Sequence, residues 1–293
     1  MKRRLALLSF AILVLFAFSA SAQNVPAPDA QTPAEPAKPA VAVRVGPPPV
    51  NATAAELEIQ GDELRGNKTY VDALDYYRAA IKKAPTAVLW NKQGITQLQL
   101  ARNKEAKKSF ERAIKLDPSY AEAYNNLGAS YYILGAQQAV KAERGHKSLP
   151  RGAERNIRRS VKEYTKALAL HEETASYHSN LGTSYFALKD FPAAVSEYAR
   201  ALQLDPNVFE RRSQTGIAAL MSSPEDRAHY SFVLARIYAK SGNLDRALLY
   251  LRKAMEDGYR DIDAVYKDQE FAELRKDPRF TELMNSKLQA IPQ

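Results

Sequence analysis

The sequence predicts an all-α chain, a superhelical solenoid of helix-turn-helix repeats, and three observations predict it. Small residues recur as triplets: Gly61, Ala73, Ala80; Gly94, Ala106, Ala113; Gly128, Ser160, Ala167; Gly182, Ala194, Ala201; and Ala235, Ala247, Ala254. Within each triplet the last two residues lie 7 apart, and the first two lie 12 apart in all but the third. Bulky residues surround the small ones at offsets of three, four and seven, the spacing of one helix face. The composition agrees: of 293 residues 45 % are apolar and 26 % charged, only 12 are Gly, and 8 of the 16 prolines stand together in residues 23–50. No Cys is present, which excludes disulfide frameworks, thiolate metal sites and Cys nucleophiles.

The elements follow in order along the chain. Residues 1–22 begin with Lys2, Arg3 and Arg4, continue as an apolar run from Leu5 to Phe18, and end in small residues with Ala20 and Ala22 at the minus 3 and minus 1 positions. This is the pattern of a secretory signal peptide, and it predicts export to a periplasm or out of the cell. The alternative is an uncleaved anchor, although the run falls short of the ~18–20 residues that span a bilayer; with the signal cleaved, the mature chain is expected to have no transmembrane segment. Residues 23–50 read as an extended Pro/Ala-rich spacer, because Pro fixes φ and removes an N–H donor.

The folded body is expected over residues 51–258. In each unit a large side chain on one helix needs a small one opposite, so each triplet marks two antiparallel helices in close contact. Leu57, Leu64 and Tyr77 serve the first unit, Trp90 and Phe110 the second, Tyr124, Leu127 and Tyr131 the third, and Leu181, Tyr185 and Tyr198 the fourth. Pro85, Pro118 and Pro206 each stand five residues beyond a final Ala, where one unit stops and the next turns. The segments AEAYNNLGASY (121–131), HSNLGTSY (178–185) and KEAKKSFERAIKLDP (104–118) match W-x2-L-G-x2-Y and A-x3-F-x2-A nearly position for position, with Tyr124 and His178 at the first large-residue position. On these residues the chain resembles the tetratricopeptide repeat family. The resemblance covers roughly 52–257, with a fifth repeat that departs in Ala235 for Gly and Tyr259 for Pro. It implies a right-handed superhelix with a groove lined by the first helix of each repeat.

Two excesses interrupt the period. Gly128 to Ser160 is 32 residues instead of 12, which places an insertion at 136–155 and predicts a helical hairpin arm. The second excess, at 207–226, is read as a supplementary helix, with Ser223-Pro224-Glu225-Asp226 as a helix start. Residues 259–293 are read as a helical cap, restarting at Asp277-Pro278 with Phe280, Leu283 and Met284 on one face.

Catalytic patterns are absent: no G-x-S-x-G, no phosphate-binding Gly-rich loop and no H-E-x-x-H. His146, His171, His178 and His229 show no metal-ligand spacing, so no metal, cofactor or enzymatic role is expected. The resemblance implies instead a partner peptide or helix held in the groove. Its groove positions, two before the Gly and one after it, fall on Lys92 and Ile95, Asn126 and Ala129, Asn180 and Thr183, with Asn125, Tyr132 and Phe186 beside them. The family's chaperone-tail binders use a basic clamp for a terminal carboxylate; Glu58 and Asp62 at the first-repeat positions argue against that activity here.

The formal charge of +9 is uneven: residues 1–22 contribute three positive charges, and 141–163 a net of five. In that arm Lys141, Arg144, Lys147, Arg151, Arg155, Arg158, Arg159 and Lys162 face Glu143, Glu154 and Glu163. Such a cluster suits an anionic surface, whether lipid headgroups, a glycan or an acidic protein, or else a solvated helix face. Nucleic acid is not expected for an exported chain whose tyrosines fall on repeat core positions. The sequence therefore predicts an exported interaction scaffold that assembles or tethers an envelope complex, with an anionic-surface binder as the alternative.

Overall fold

A computed structural model describes residues 45–141, 149–209 and 224–286. The expected signal peptide, residues 1–22, and most of the expected spacer, residues 23–50, lie outside the described residues. Residues Arg44–Gln293 form one compact unit, and no strand occurs among its described residues.

Among the described residues, ten helices form five antiparallel pairs. They are α1 (Ala54–Gly66) with α2 (Tyr70–Lys83), α3 (Ala87–Gln99) with α4 (Asn103–Leu116), and α5 (Ala121–Lys141) with α6 (Arg151–Leu170). Then come α7 (Ala175–Ala187) with α8 (Phe191–Leu204), and α9 (Pro224–Lys240) with α10 (Leu244–Glu256). Local chemistry starts several of them. Thr53 and Glu56 form a capping box at α1, and the hydrogen bonds from Thr53 hold the Glu56 carboxyl below the usual carboxylate range. Thr86, Asp190 and Asn243 each accept a backbone N–H in the first turn of α3, α8 and α10.

Each pair closes on the contact the triplets predict. A Cβ placed on Gly61, Gly94, Gly128 or Gly182 would stand 2.7, 2.4, 2.8 or 2.7 Å from a ring carbon of Tyr77, Phe110, Tyr164 or Tyr198. All four rings are fully buried. In the fifth pair Ala235 replaces the glycine, and the residue 16 further on is Leu251 rather than an aromatic. The extra methyl and the smaller partner offset each other. Seven residues after the small residue the chain turns through a left-handed backbone, at Lys68 (φ 62°), Ala101 (φ 58°), Lys189 (φ 63°) and Gly242 (φ 79°). Only the last is the residue type that favours it.

In the third repeat the corresponding residue, Gly135, lies within α5, and the helix runs on. Helices α5 and α6 have 21 and 20 residues against 13 or 14 in the first two and fourth pairs. The extensions pack on each other: a Cβ on Gly135 would meet Ile157 at 2.7 Å, and the Asn156 amide donates to Gln138 Oε1 at 3.1 Å. Of the segment expected as a supplementary helix, residues 210–223 lie outside the described residues. Before the gap Phe209 packs edge-on to Tyr198, and after it α9 starts at Pro224. Beyond α10, the short helix α11 (Ala264–Lys267), two 3-10 turns and α12 (Pro278–Asn285) follow. They bury Val265, Phe271, Leu274, Phe280 and Leu283 against Phe232 and Leu234 of α9, and Asp277 caps α12 by accepting from the Arg279 N–H.

Candidate functional site

The first helices α1, α3, α5 and α7 meet along one face through a repeated polar joint. The residue two before the Gly of one repeat bonds to the residue three before the Gly of the preceding repeat. Lys92 Nζ lies 2.5 Å from both Glu58 Oε1 and Asp62 Oδ2. The Asn126 amide donates to Asn91 Oδ1 at 3.0 Å, and the Asn180 amide to Asn125 Oδ1 at 2.9 Å. Asn125 donates in turn to Asn126 Oδ1, and Asn91 to the Tyr120 hydroxyl, both at 3.2 Å. A continuous chain of side-chain amides therefore crosses α3, α5 and α7, and an ion triad continues it to α1.

This arrangement corrects part of the sequence reading. Asn125, Asn126 and Asn180 are buried and their amides are engaged with each other. Buried polar groups need partners, and stacking the repeats supplies them. Lys92 is half-buried; burial pulls its ammonium down, but the hydrogen bonds and charges of Asp62 and Glu58 outweigh that and shift it upward. Asp62 also accepts from the Tyr77 hydroxyl at 2.7 Å. The acids that stand in place of a basic clamp thus neutralise the nearest lysine.

Tyr132, Thr183 and Phe186, expected to line the groove, are buried as well. Thr183 Oγ1 accepts from the Tyr198 hydroxyl at 3.1 Å and donates to the Ser179 carbonyl. Phe186 packs against Phe191, His229 and Tyr230, and Tyr132 joins Ile157, Tyr164 and Leu181 in the core of the third and fourth repeats. Ala129 is buried too, and Ile95 is half-buried. Residues one and four positions after the Gly look into the junction with the following repeat, where bulky side chains fill space.

The accessible inner face lies elsewhere on the same helices. Val88, three before Asn91, is exposed on this face of α3, whereas Ile95 and Leu98, four and seven after it, are half-buried and pack against the cluster of Ala106, Phe110 and Leu127. Glu122 and Ser176 are exposed at the corresponding places, three before Asn125 and Ser179. Sequence reasoning missed Asn91, Val88 and Glu122. The recurrence of Glu58, Asn91 and Asn125 three before each Gly was the available signal.

His178 is held structurally, with Nδ1 2.6 Å from Glu197 Oε2 and Nε2 2.9 Å from the Glu172 carbonyl oxygen. Among the described residues no three His, Asp or Glu side chains converge as a metal site. In the basic arm Lys141, Arg151, Arg155, Arg158, Arg159 and Lys162 are exposed, whereas Arg144 and Lys147 fall outside the described residues. Arg158 pairs with Glu154 at 2.8 Å, and the Arg159 guanidinium lies 5.6 Å from the Tyr131 ring centroid. No described helix is long and apolar enough to cross a membrane.

Comparison with known proteins agrees with this architecture. Tetratricopeptide repeat models match residues 98–135, 175–208 and 232–263. The chain is 36 % identical over 93 residues to small glutamine-rich tetratricopeptide repeat-containing protein 2 of Saccharomyces cerevisiae, covering 31 % of this chain and 27 % of that protein. It is 28 % identical over 169 residues to the Hsp70-Hsp90 organising protein of Plasmodium falciparum, covering 50 % of this chain and 30 % of that one. The chain therefore spans less than a third of the length of these curated relatives. Among solved structures, a thermophilic TPR protein of Thermus thermophilus aligns with a TM-score of 0.47 at 22 % identity, over 79 % of this chain and 99 % of that one. With its five small-residue triplets and its paired helices, the chain is an all-α array of helix-turn-helix repeats, three stretches of which match tetratricopeptide repeat models.

Proposed function

We propose that the protein is an exported scaffold that holds a segment of a partner protein along the inner face of α1, α3 and α5, in the assembly or tethering of an envelope complex. The observation that carries this reading is the face on which Val88 and Glu122 are exposed and the edges of Ile95 and Leu98 are half-exposed, bordered by the Glu58–Lys92–Asp62 triad. Apolar side chains flanked by a triad of net charge −1 and a further acid favour a helix or extended peptide with an apolar ridge and a basic residue beside it. A free terminal carboxylate finds no uncompensated cation there. The polar joints beneath the face keep its backbone spacing fixed, so the partner meets a preformed surface. The export signal of residues 1–22 supports the envelope as the place of action. In this reading the chain performs no catalysis.

The test is affinity capture from an envelope fraction with three forms: the chain itself, the double variant Val88→Glu with Glu122→Lys, and a form lacking 136–155. Both substituted side chains are exposed, so the fold is spared. A reproducible partner lost with the double variant and kept without the arm is expected. Capture that is unchanged by the double variant overturns the groove reading.

A further inference from the structure

The strongest charge concentration in the structure is larger than the arm, and stacking creates it. Helix α6 carries Arg151, Arg155, Arg158, Arg159, Lys162 and Lys166 against Glu154 and Glu163, a net of +4. Its neighbour α4, the second helix of the preceding repeat, carries Lys104, Lys107, Lys108, Arg112 and Lys115 against Glu105 and Glu111, a net of +3. The other second helices, α2, α8 and α10, carry +1, 0 and +1. The two basic helices face one another across Tyr131 of α5, whose ring centroid is 5.5 Å from Lys107 Nζ and 5.6 Å from the Arg159 guanidinium carbon.

Few of these charges are compensated within the surface. Lys107 pairs with Glu111, Arg158 with Glu154 and Lys166 with Glu163. The remaining eight cations have no carboxylate within ion-pair distance among the described residues, and all eight are exposed. On α6 the sequence offsets of four, seven and eleven from Arg155 to Arg159, Lys162 and Lys166 put them on one outward stripe. Lys104, Lys108, Arg112 and Lys115 form the matching surface on α4. Leu116 and Leu170, 50 % and 40 % exposed, border these basic surfaces at the C-terminal ends of the same two helices. Each lies four residues beyond a stripe cation, Arg112 and Lys166.

We propose that the outer face of α4 and α6 docks on a bilayer surface bearing anionic headgroups. The charges spread over two side-by-side helices, the longer of them ~30 Å in length, so they form a two-dimensional field rather than a line or a cleft. That distribution matches a plane of headgroups. The exposed leucines at the ends of the same two helices have a use at a bilayer interface and none against a polyanion dissolved in water. This face is opposite in role to the groove and independent of it, so a partner could be held while the outer face rests on lipid.

The experiment uses the compact unit from Arg44 onward, so that the apolar N-terminal run does not insert. It is sedimented with vesicles of phosphatidylcholine alone and with vesicles in which a third of the lipid is phosphatidylglycerol. Binding to the anionic vesicles only, weakening steeply as salt is raised, is expected. The variant Lys108→Gln, Arg112→Gln, Arg155→Gln, Lys162→Gln alters exposed, unpaired side chains, and helical circular dichroism checks its fold. Each basic residue near an anionic surface raises binding about fivefold, so the four together should lower the partition coefficient several hundredfold. A control with Lys82→Gln and Arg252→Gln, exposed on α2 and α10, should change binding by less than about twofold, where two residues lying against the lipid would cost about twenty-five-fold. Equal binding to both vesicle types overturns the proposal, as does a quadruple variant that still binds or a control that loses as much. Tight binding to heparin or polyglutamate without vesicle binding also overturns it, in favour of a soluble polyanion.

Discussion

Replacing Gly94 with Ala tests the contact on which each helix pair closes. The added Cβ would lie 2.4 Å from Phe110 Cε1 and 2.8 Å from two further ring carbons. Ordinary contact begins near 3.4 Å, so the ring or the helix must move by about 1 Å, and Phe110 is fully buried with no solvent side to move into. Overpacking of this kind costs about 1–3 kcal/mol. Against it, Ala in a helix interior gains about 0.5–1 kcal/mol over Gly. The expected balance is a destabilisation of about 1–2 kcal/mol, measured by urea unfolding followed by circular dichroism. The fifth repeat points to how the cost is relieved, since Ala235 and, sixteen residues on, Leu251 take the places of the glycine and the ring in one buried cluster. Combining Gly94→Ala with Phe110→Leu should therefore be less damaging than the sum of the two single changes by about 1 kcal/mol, a coupling of the size found for residues in contact. A Gly94→Ala protein more stable than the parent would refute the reasoning, because propensity alone would then decide. Strict additivity of the pair would refute the compensation.

Four further outcomes are expected. Ala101→Gly should stabilise by about 0.5–1 kcal/mol, because the left-handed backbone at φ 58° penalises a side chain; Gly242→Ala, at φ 79° and with open space around the new methyl, should destabilise by about 1 kcal/mol, both read as shifts in urea midpoint. Asn126→Ala leaves groups of Asn91 and Asn125 buried without their partner and should cost about 2–3 kcal/mol in the same assay. Asn126→Asp should not rescue it, since the donor to Asn91 is still lost. Burial pushes the hydroxyls of Tyr132, Tyr164 and Tyr198 above the ordinary tyrosine value of 10.0, so the folded state keeps protons that the unfolded chain releases. Their contribution is intact below pH ~10 and is lost above it at about 4 kcal/mol per pH unit for the three, giving a steep, cooperative alkaline transition when helicity and tyrosinate absorbance are followed together.

The fold was legible because it is periodic. A triplet of small residues at fixed spacing reports a close helix–helix contact directly, and five copies report five pairs. The insertion in the third repeat was legible for the same reason, as a break in that spacing. The inner face was less legible. Lys92, Asn126 and Asn180 were identified as a set, but whether an amide reaches a ligand or a neighbouring helix depends on the distance between repeats, which one repeat's sequence does not contain. Tyr132 and Phe186 stand on the first helices yet are covered, because the following repeat packs over them. The basic surface was half legible: the arm is contiguous in sequence, whereas Lys107 and Arg159 belong to different repeats and meet over the Tyr131 ring only through stacking.

The run of polar joints also has a mechanical meaning. It ties α1 to α3, α3 to α5 and α5 to α7, and at the next step the equivalent residue is the buried Val233. Among the described residues, α7 and α8 instead meet α9 through aromatic edges such as Phe186 on Tyr230 and Tyr198 on Tyr230, and through the exposed Lys189–Asp226 pair. Directional hydrogen bonds resist sliding, and ring faces shear with little loss. Under load the protein should act as a stiff four-repeat lever with a compliant joint before the fifth. Pulled from its ends in a single-molecule trap, it should yield first at that joint, releasing the fifth repeat and its cap before the lever gives way.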